Sequence, residues 1–532
     1  MTNSISDIVD ADVLLVTGSN TTESHPVISL EMKRAVRKHG ASLILIDPRR
    51  IELADFATLH LRQKPGTDVA LFNAMAHVII AEGWQDSAFI VDRTEEYKAF
   101  AAAVEAWTPQ RAEAICEVPA EQIVEAARLY ASAESAAIYW AMGITQHTHG
   151  TDNVKVLSNL ALLTGNVGRP GTGLNPLRGQ NNVQGACDMG GLPNVFPGYQ
   201  PVNSDAARKK FARAWGVPPE HLNSTPGLTV TEIMNGALEG TIKALYIVGE
   251  NPMLSDPNLT HVEEALRALD YLVVQDIFLN ETGEMADVVL PAASFAEKSG
   301  TFTNTERRVH MVRPLLETTG TARPDWQIVV ELANRAGADW SYSNASGIFD
   351  EIASVTPQYA GMSHARLEQK GLQWPCPTPD HPGTPYLHAE QFTRGKGLFS
   401  PADYRPPAEE PDDEYPLILS TGRILYHWHG GTMSRRSPGL EAMAPEAEVE
   451  LHPIDAQRHA ISDEECVRVH SRRGAVTARA RITRRSPPGT IFMTFHYAEA
   501  AANLLTNDAV DPTAKIPEYK VCAVRLERLN DG

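Results

Sequence analysis

Short apolar runs that stop at a glycine or at a polar turn alternate with longer stretches of helical periodicity through most of this chain. Ala11 to Thr17 (ADVLLVT) is the first such run, ends at Gly18, and reads as a buried parallel strand. A polar segment from Gly18 to Pro26 follows, then a predicted helix over Val27 to His39. A second strand over Ala41 to Ile46 stops at Asp47-Pro48-Arg49-Arg50. Such a βαβ unit places its glycine and polar residues at the carboxyl ends of the strands, where open α/β sheets hold ligands. Lys64 to Asp68 (KPGTD) is a turn capping a helix predicted over Val69 to Glu82. Helical periodicity then continues to about Ala133, and a strand over Ala136 to Ala141 ends at Met142-Gly143.

The pattern returns further along. A strand over Ile242 to Val248 ends in Gly249-Glu250-Asn251-Pro252, a helix follows near His261 to Leu269, and a strand over Tyr271 to Val274 runs into Gln275-Asp276. Asp287 to Leu290 is a third strand. Gly18 to Asp47 spans 29 residues and Gly249 to Asp276 spans 27, so the two halves keep the same rhythm. Simple kinship between Rossmann-like halves explains that as well as two related nucleotide-type sites do. In the second reading, Asp47 and Asp276 accept hydrogen bonds from ribose hydroxyls or a purine amine. Residues 373–416 are rich in Pro, Asp and Glu and read as a crossing between domains. Beyond it, the runs LILS, CVRV, AVTA and IFMT between Gly and Pro turns predict a small β-barrel.

One stretch has no periodicity. Gly173 to Gly191 (GLNPLRGQNNVQGACDMGG) holds five glycines, five side-chain amides and one arginine. Neither helix nor strand is expected there, because glycine costs backbone entropy and Asn and Gln need partners. A flexible linker would favour Ser, Pro and Lys, so an ordered loop that brings amides and bare backbone to a large polar ligand fits better. Arg178 would offer a fixed cationic fork to an anion.

At 532 residues the chain should divide into three or four domains, and 43% hydrophobic with 21% charged residues is the balance of an ordinary globular protein. A net charge of −19 argues against nucleic acid or anionic membrane as a partner. There is no apolar run of membrane-spanning length, and the amino terminus lacks the pattern of a secretory signal, so a cytoplasmic location without membrane insertion is expected. The five cysteines, Cys116, Cys187, Cys376, Cys466 and Cys522, come no closer than 56 residues, so no zinc or iron–sulfur cluster is expected within the chain. Gly18-x-Asn20 is not a dinucleotide fingerprint and no P-loop occurs, which makes a nicotinamide site weak. His147-x-His149 could ligate a metal from one strand face, but the setting reads as a loop with exposed polar residues. Tyr426 to His429 could lie against a ligand's anionic groups or form a half-buried aromatic rim. Cys187 as a nucleophile is opposed by its neighbour Asp188, and no GxSxG elbow exists. The residues alone describe a multidomain α/β protein holding one or two nucleotide-like ligands.

Longer strings carry a resemblance. WAMGITQ (Trp140 to Gln146), LTGNVG (Leu163 to Gly168) and NPLRGQNNVQGACDMG (Asn175 to Gly190) closely resemble the catalytic subunits of molybdenum- or tungsten-dependent formate dehydrogenases, within the molybdopterin oxidoreductase (dimethyl sulfoxide reductase) superfamily. VQDI, ADVVLP, LSTGR and PEYK, ending at Ile277, Pro291, Arg423 and Lys520, fit the same family. The resemblance implies an α/β fold with two pseudo-symmetric Rossmann-like domains plus a C-terminal β-barrel, divided as 1–180, 181–375, a linker over 376–414 and a barrel over 415–532. It implies a bis-molybdopterin guanine dinucleotide cofactor with Mo or W. Its contacts would be Asn20, Glu23, Ser24, Asp47, Arg49, Gly66, Asp68, Met142, Gly143, Gln146, Gln180, Gly249, Asp276, Arg423, His427, Asn503, Tyr519 and Lys520. Arg178 matches the family's active-site arginine and would orient formate by two parallel charge-assisted hydrogen bonds. Family members carry an iron–sulfur domain and a metal-ligating selenocysteine or cysteine upstream of the segment matching Met1, so no metal ligand is assigned here. An in-frame selenocysteine codon read as a stop is the favoured account. A split enzyme needing a separate iron–sulfur or electron-transfer polypeptide, and a non-catalytic pterin-binding protein, are the alternatives.

Overall fold

Five parallel strands form the first sheet of the computed structural model, which describes residues 1–529. They are β1 (Val13–Thr17), β2 (Ser42–Ile46), β3 (Leu59–Leu61), β4 (Ala136–Trp140) and β5 (Gly173–Pro176), in the order β3-β2-β1-β4-β5. β1 and β4 are buried at every position, as expected of central parallel strands covered on both faces. On one face α1 (Pro26–His39) packs Ile28, Met32 and Ala35 against Leu14, Val16, Leu43 and Leu45. On the other, α2 (Asp68–Ala81) sets Val69, Phe72, Met75 and Ile79 among Leu15, Ile44 and Ile46. α2 is buried almost all round, because the helices Pro109–Cys116, Ala120–Ser132 and Gly150–Leu163 enclose it. The chain leaves β1 towards β2 and later returns on the opposite side at β4. That reversal opens a crevice at the carboxyl ends of β1 and β4.

The chain forms two compact units, the first comprising residues 1–177, 253–262 and 386–529, the second residues 178–252 and 263–385. The second has its own parallel sheet, in the order β8-β7-β6: β6 (Ala244–Val248), β7 (Tyr271–Asp276) and β8 (Val288–Pro291). An antiparallel trio, Gly300–Thr303, Arg308–Val312 and Leu372–Gln373, accompanies it.

In the first unit, β9 (Leu417–Gly422), β10 (Glu448–Leu451), β11 (Cys466–His470), β12 (Ala475–Ile482), β13 (Thr490–Thr494) and β14 (Cys522–Arg528) close into a barrel in the order β9-β13-β10-β12-β11-β14. Alternate residues such as Val467, Val469, Ala478 and Ala480 fill its interior. The hydrophobic pattern predicts β1, β2, β4, β6, β7 and β8 and the barrel strands β9, β11, β12 and β13, but not β3, β5, β10 or β14.

One expectation fails. The Gly173–Gly191 segment contains β5 and a short helix, α3 (Val183–Asp188). Tertiary pairing overrides the local preference: β5 lies in register with β4, and the buried amide of Asn175 accepts the Asn3 N–H at 3.3 Å. α3 buries Gln184, Gly185 and Asp188. Among the described residues no helix is long and apolar enough to cross a membrane, and no group of three or more His, Cys, Asp or Glu side chains is arranged to hold a metal ion.

Candidate functional site

In the first unit the loops at the carboxyl ends of the strands supply most of the residues singled out by the resemblance. After β1 come Gly18 and Asn20, then the turn Thr21–Ser24 with Glu23 and Ser24. After β2 come Asp47 and Arg49, and the turn holding Gly66 leads into Asp68 at the head of α2. After β4 come Met142, Gly143 and Gln146. The Gly143 N–H donates to the Gly18 carbonyl at 3.0 Å, tying the two loops that border the crevice. Both polar atoms of the Asn20 amide are buried without a hydrogen-bond partner, as are Glu23 Oε2 and Arg49 Nε.

The barrel brings Arg423, His427, Asn503, Tyr519 and Lys520 into the same unit. Asn503 Nδ2 donates to the carbonyls of Leu254 and Ser255 at 2.9 and 3.1 Å while its Oδ1 is buried and unmatched. Tyr519 OH donates to the Ser255 carbonyl at 3.0 Å. Arg423 stacks over Trp428, 4.5 Å from the ring centre, and leaves Nη1 buried without a partner. His427 directs both ring nitrogens into the segment joining β9 to β10: Nε2–H donates to the Ala444 carbonyl at 2.8 Å and Nδ1 lies 3.4 Å from Ser434 Oγ. These bonds order the loop that carries Trp428.

A chain of ion pairs joins the barrel to the first sheet. Arg49 Nη2 meets Glu450 at 2.7 Å with both side chains 7% exposed, and Arg485 bridges Glu450 and Glu23 at 3.1 and 2.7 Å. The Arg49 guanidinium also lies 3.4 Å from the centre of the Phe492 ring. Asp47, Arg49, Arg423 and Lys520 act on one another electrostatically. Burial pushes the Asp47 carboxyl up to about 6, against the Arg49 N–H that it accepts at 2.9 Å and the Arg49 charge. Burial likewise pushes Lys520 down to about 7, helped by Arg423 and Arg49 and opposed by Asp47. Arg423 is lowered to about 10 by burial.

These directions give a testable pH dependence. With its folded pKa near 7 and an ordinary value of 10.5 when unfolded, Lys520 binds fewer protons in the folded state across that window. Its contribution to stability therefore rises with pH from about 7 to about 10 and is at its worst below 7. Thermal melts of cofactor-free protein should show a rise in Tm over this range that is smaller in Lys520→Met. An identical slope in the two proteins would show that Lys520 titrates normally.

Two residues that sequence reasoning reads as exposed are buried. His147 and His149 are 2% and 1% exposed, their rings stacked 5.3 Å apart. His147 Nε2–H donates to the Gly143 carbonyl at 2.9 Å, and Nδ1 lies 3.8 Å from Glu518, which also accepts from Thr148 and Ala408. Burial would raise the Glu518 carboxyl, but the nearby His147 ring and the Thr148 and Ala408 backbone donors hold it below its ordinary value. The strand ending just before Met142 was legible; the partner, 371 residues on, was not. Glu518 precedes Tyr519 and Lys520, so this contact links two loops that the resemblance assigns to the cofactor.

The second unit holds the remaining residues. Asp276 Oδ1 accepts the Ile277 N–H at 2.6 Å and Oδ2 accepts Asn280 Nδ2 at 3.0 Å, folding back into its own loop much as Asp47 does. The Gly249 N–H donates to the Gln275 carbonyl at 2.8 Å. Arg178 is half-buried, its N–H donating to Thr305 Oγ1 at 3.1 Å and its Nη1 lying 3.6 Å from Cys187 Sγ; Gln180 is exposed.

Comparison with known proteins adds the following. Residues 1–335 match the family model described as "Molybdopterin oxidoreductase", and residues 417–523 match "Molydopterin dinucleotide binding domain". The chain is 50% identical over 533 residues to F420-dependent formate dehydrogenase 2 subunit alpha of Methanococcus maripaludis, covering 99% of this chain and 78% of that one. It is 42% identical over 537 residues to formate dehydrogenase H of Escherichia coli, covering 100% of this chain and 75% of that one. Among solved structures, acetylene hydratase from Pelobacter acetylenicus aligns with a TM-score of 0.79 at 20% identity over 99% of this chain and 79% of that one, a likeness of fold.

Proposed function

The chain belongs to the molybdopterin oxidoreductase family, and from that premise we propose that it is a formate dehydrogenase catalytic subunit that oxidises formate to carbon dioxide. The observation that carries this reading is identity of 42–50% across the whole chain with proteins named as formate dehydrogenases.

We propose bis-molybdopterin guanine dinucleotide with Mo or W as the cofactor, and the residues present fit such a group. A buried unpaired polar atom costs about 1–3 kcal/mol. Asn20, Glu23, Arg49, Arg423 and Asn503 carry such atoms within one compact unit. A ligand rich in donors, acceptors and negative charge answers them together. Asp47 and Asp276 would accept from ribose hydroxyls or a purine amine, and Arg423 and Lys520 would face the anionic diphosphates. The backbone of Gly66, Met142 and Gly143 would approach the ring systems, with Ser24, Asp68, Gln146, Gln180, Gly249, His427 and Tyr519 completing the contacts. When bound, the group supplies the two-electron acceptor for the C–H bond of formate.

The chain's own part is to bind and orient. Arg178 offers the formate carboxylate two parallel N–H donors and so fixes the direction of its C–H bond. The relatives' subunit names support further subunits, and that these carry electrons away through iron–sulfur clusters belongs to the same proposal. So do domain limits near residues 180, 375 and 414.

The test is metal and pterin analysis of the purified complex beside formate-driven reduction of a viologen dye. Mo or W with guanine dinucleotide and formate-dependent dye reduction are expected. Bound pterin in a complex that never reduces the dye with formate would refute the catalytic reading and leave a cofactor-binding protein.

A further inference from the structure

Building on the reading of Arg178 as the residue that orients formate, we propose that Asp188 is the positioning residue that sets the Arg178 guanidinium, acting through α3, whose Cys187 touches it. Asp188 is 1% exposed, and its carboxylate collects four donors from four parts of the second unit. Oδ1 accepts from Gln184 Nε2 and Tyr199 OH, both at 2.8 Å; Oδ2 accepts from Tyr359 OH at 2.6 Å and Trp374 Nε1 at 2.8 Å. Its backbone carbonyl accepts the Gly198 N–H at 2.7 Å.

The chemistry requires a carboxylate there. The Trp374 indole can only donate, and four donors converging on two oxygens are what an ionised carboxylate accepts and an amide does not. The other end of α3 is held as well, since Asn182 Oδ1 accepts the Thr303 N–H at 2.8 Å and Thr303 Oγ1 lies 2.9 Å from Tyr359 OH. A six-residue helix with a glycine at its centre has little stability of its own, so these anchors decide where it sits. The residue before Asp188 is Cys187, with its sulfur 3.6 Å from Arg178 Nη1. The backbone of Arg178 is tied to Thr305, in the turn just past Thr303. The guanidinium thus rests on a surface whose position Asp188 determines.

The test is a double-mutant cycle in the complete enzyme, using Asp188→Asn, Tyr199→Phe and Arg178→Lys. Tyr199→Phe removes one of the four donors and keeps the ring, so it carries the cycle if Asp188→Asn fails to fold. We expect kcat/KM for formate to fall severalfold in Tyr199→Phe and tenfold or more in Asp188→Asn, chiefly through a higher KM, with pterin and metal content unchanged. In the Arg178→Lys background the same changes should cost less than twofold. Full additivity of the effects, or wild-type kinetics in both single variants, would overturn the positioning role. If Arg178→Lys alone leaves kcat/KM for formate untouched, the orienting role of Arg178 fails first, and the proposal with it.

Discussion

Replacing Arg178 by lysine is expected to lower kcat/KM for formate about tenfold to a hundredfold, while pterin and metal content stay at the wild-type level. Lysine keeps the charge and loses the fork. A guanidinium presents two coplanar N–H groups to a carboxylate, and an ammonium presents one point charge that rotates freely. One charge-assisted hydrogen bond of about 1.5–3 kcal/mol is lost, and with it the fixed direction of the substrate. The half-buried setting of Arg178 sharpens the test, because its backbone is already held by Thr305 and does not depend on the side chain. Steady-state kinetics with a viologen acceptor, read beside pterin chromatography and metal analysis of the same preparation, separates the roles. A fall in both kcat and kcat/KM points to an interaction made in the transition state, and a rise in KM alone to uniform binding. If cofactor content drops as much as turnover, Arg178 is holding the cofactor or the loop, and formate is oriented by something else.

Strand ends were legible in the sequence because they are local. An apolar run that stops at glycine or aspartate marks the place where a buried strand leaves the sheet, and Gly18, Asp47 and Gly143 lie at or just beyond the ends of β1, β2 and β4. What surrounds those ends comes from far along the chain and leaves no local trace. Arg49 pairs with Glu450, 401 residues away, and Thr148 with Glu518, 370 residues away. His147 and His149 therefore look like loop polars until the barrel buries them. The Gly173–Gly191 segment shows the same limit in another form. Its composition does argue against self-supporting structure, yet β5 borrows its order from β4 and α3 borrows its own from Asp188. Asp188 was legible only as an unfavourable neighbour for a thiolate. Its four partners lie as far as 186 residues off, and no spacing within the segment announces them. The family resemblance named candidate cofactor contacts through motif strings, and the structure adds which of them share a compact unit.

Gly143→Ala is expected to destabilise the chain by about 3 kcal/mol and to lower its pterin content, whereas Gly249→Ala should cost about 1–2 kcal/mol. Both glycines follow strands, Gly143 just past the buried β4 and Gly249 directly after the largely exposed β6, and they are needed for different physical reasons. Gly249 has φ +67° and open space around the position of an added Cβ, so alanine there meets only the left-handed backbone penalty. A Cβ on Gly143 would lie 2.6 Å from the Gly18 carbonyl oxygen, 2.7 Å from its Cα and 2.8 Å from its carbonyl carbon. All three are backbone atoms that no rotamer change can move. Beyond the last paired residues, Thr17 and Trp140, β1 and β4 must part to open the crevice, yet the Gly143 N–H still reaches the Gly18 oxygen at 3.0 Å. Two glycines back to back allow both at once. A methyl group on Gly143 would drive the loop carrying Met142 and Gln146 away from Gly18, breaking that hydrogen bond and displacing the residues assigned to the cofactor. Urea denaturation of cofactor-free protein measures the first effect and guanine nucleotide released from the complete enzyme measures the second. Equal midpoints for the two variants would mean that Gly18 and Gly143 separate without penalty, and the crevice would then owe nothing to their contact.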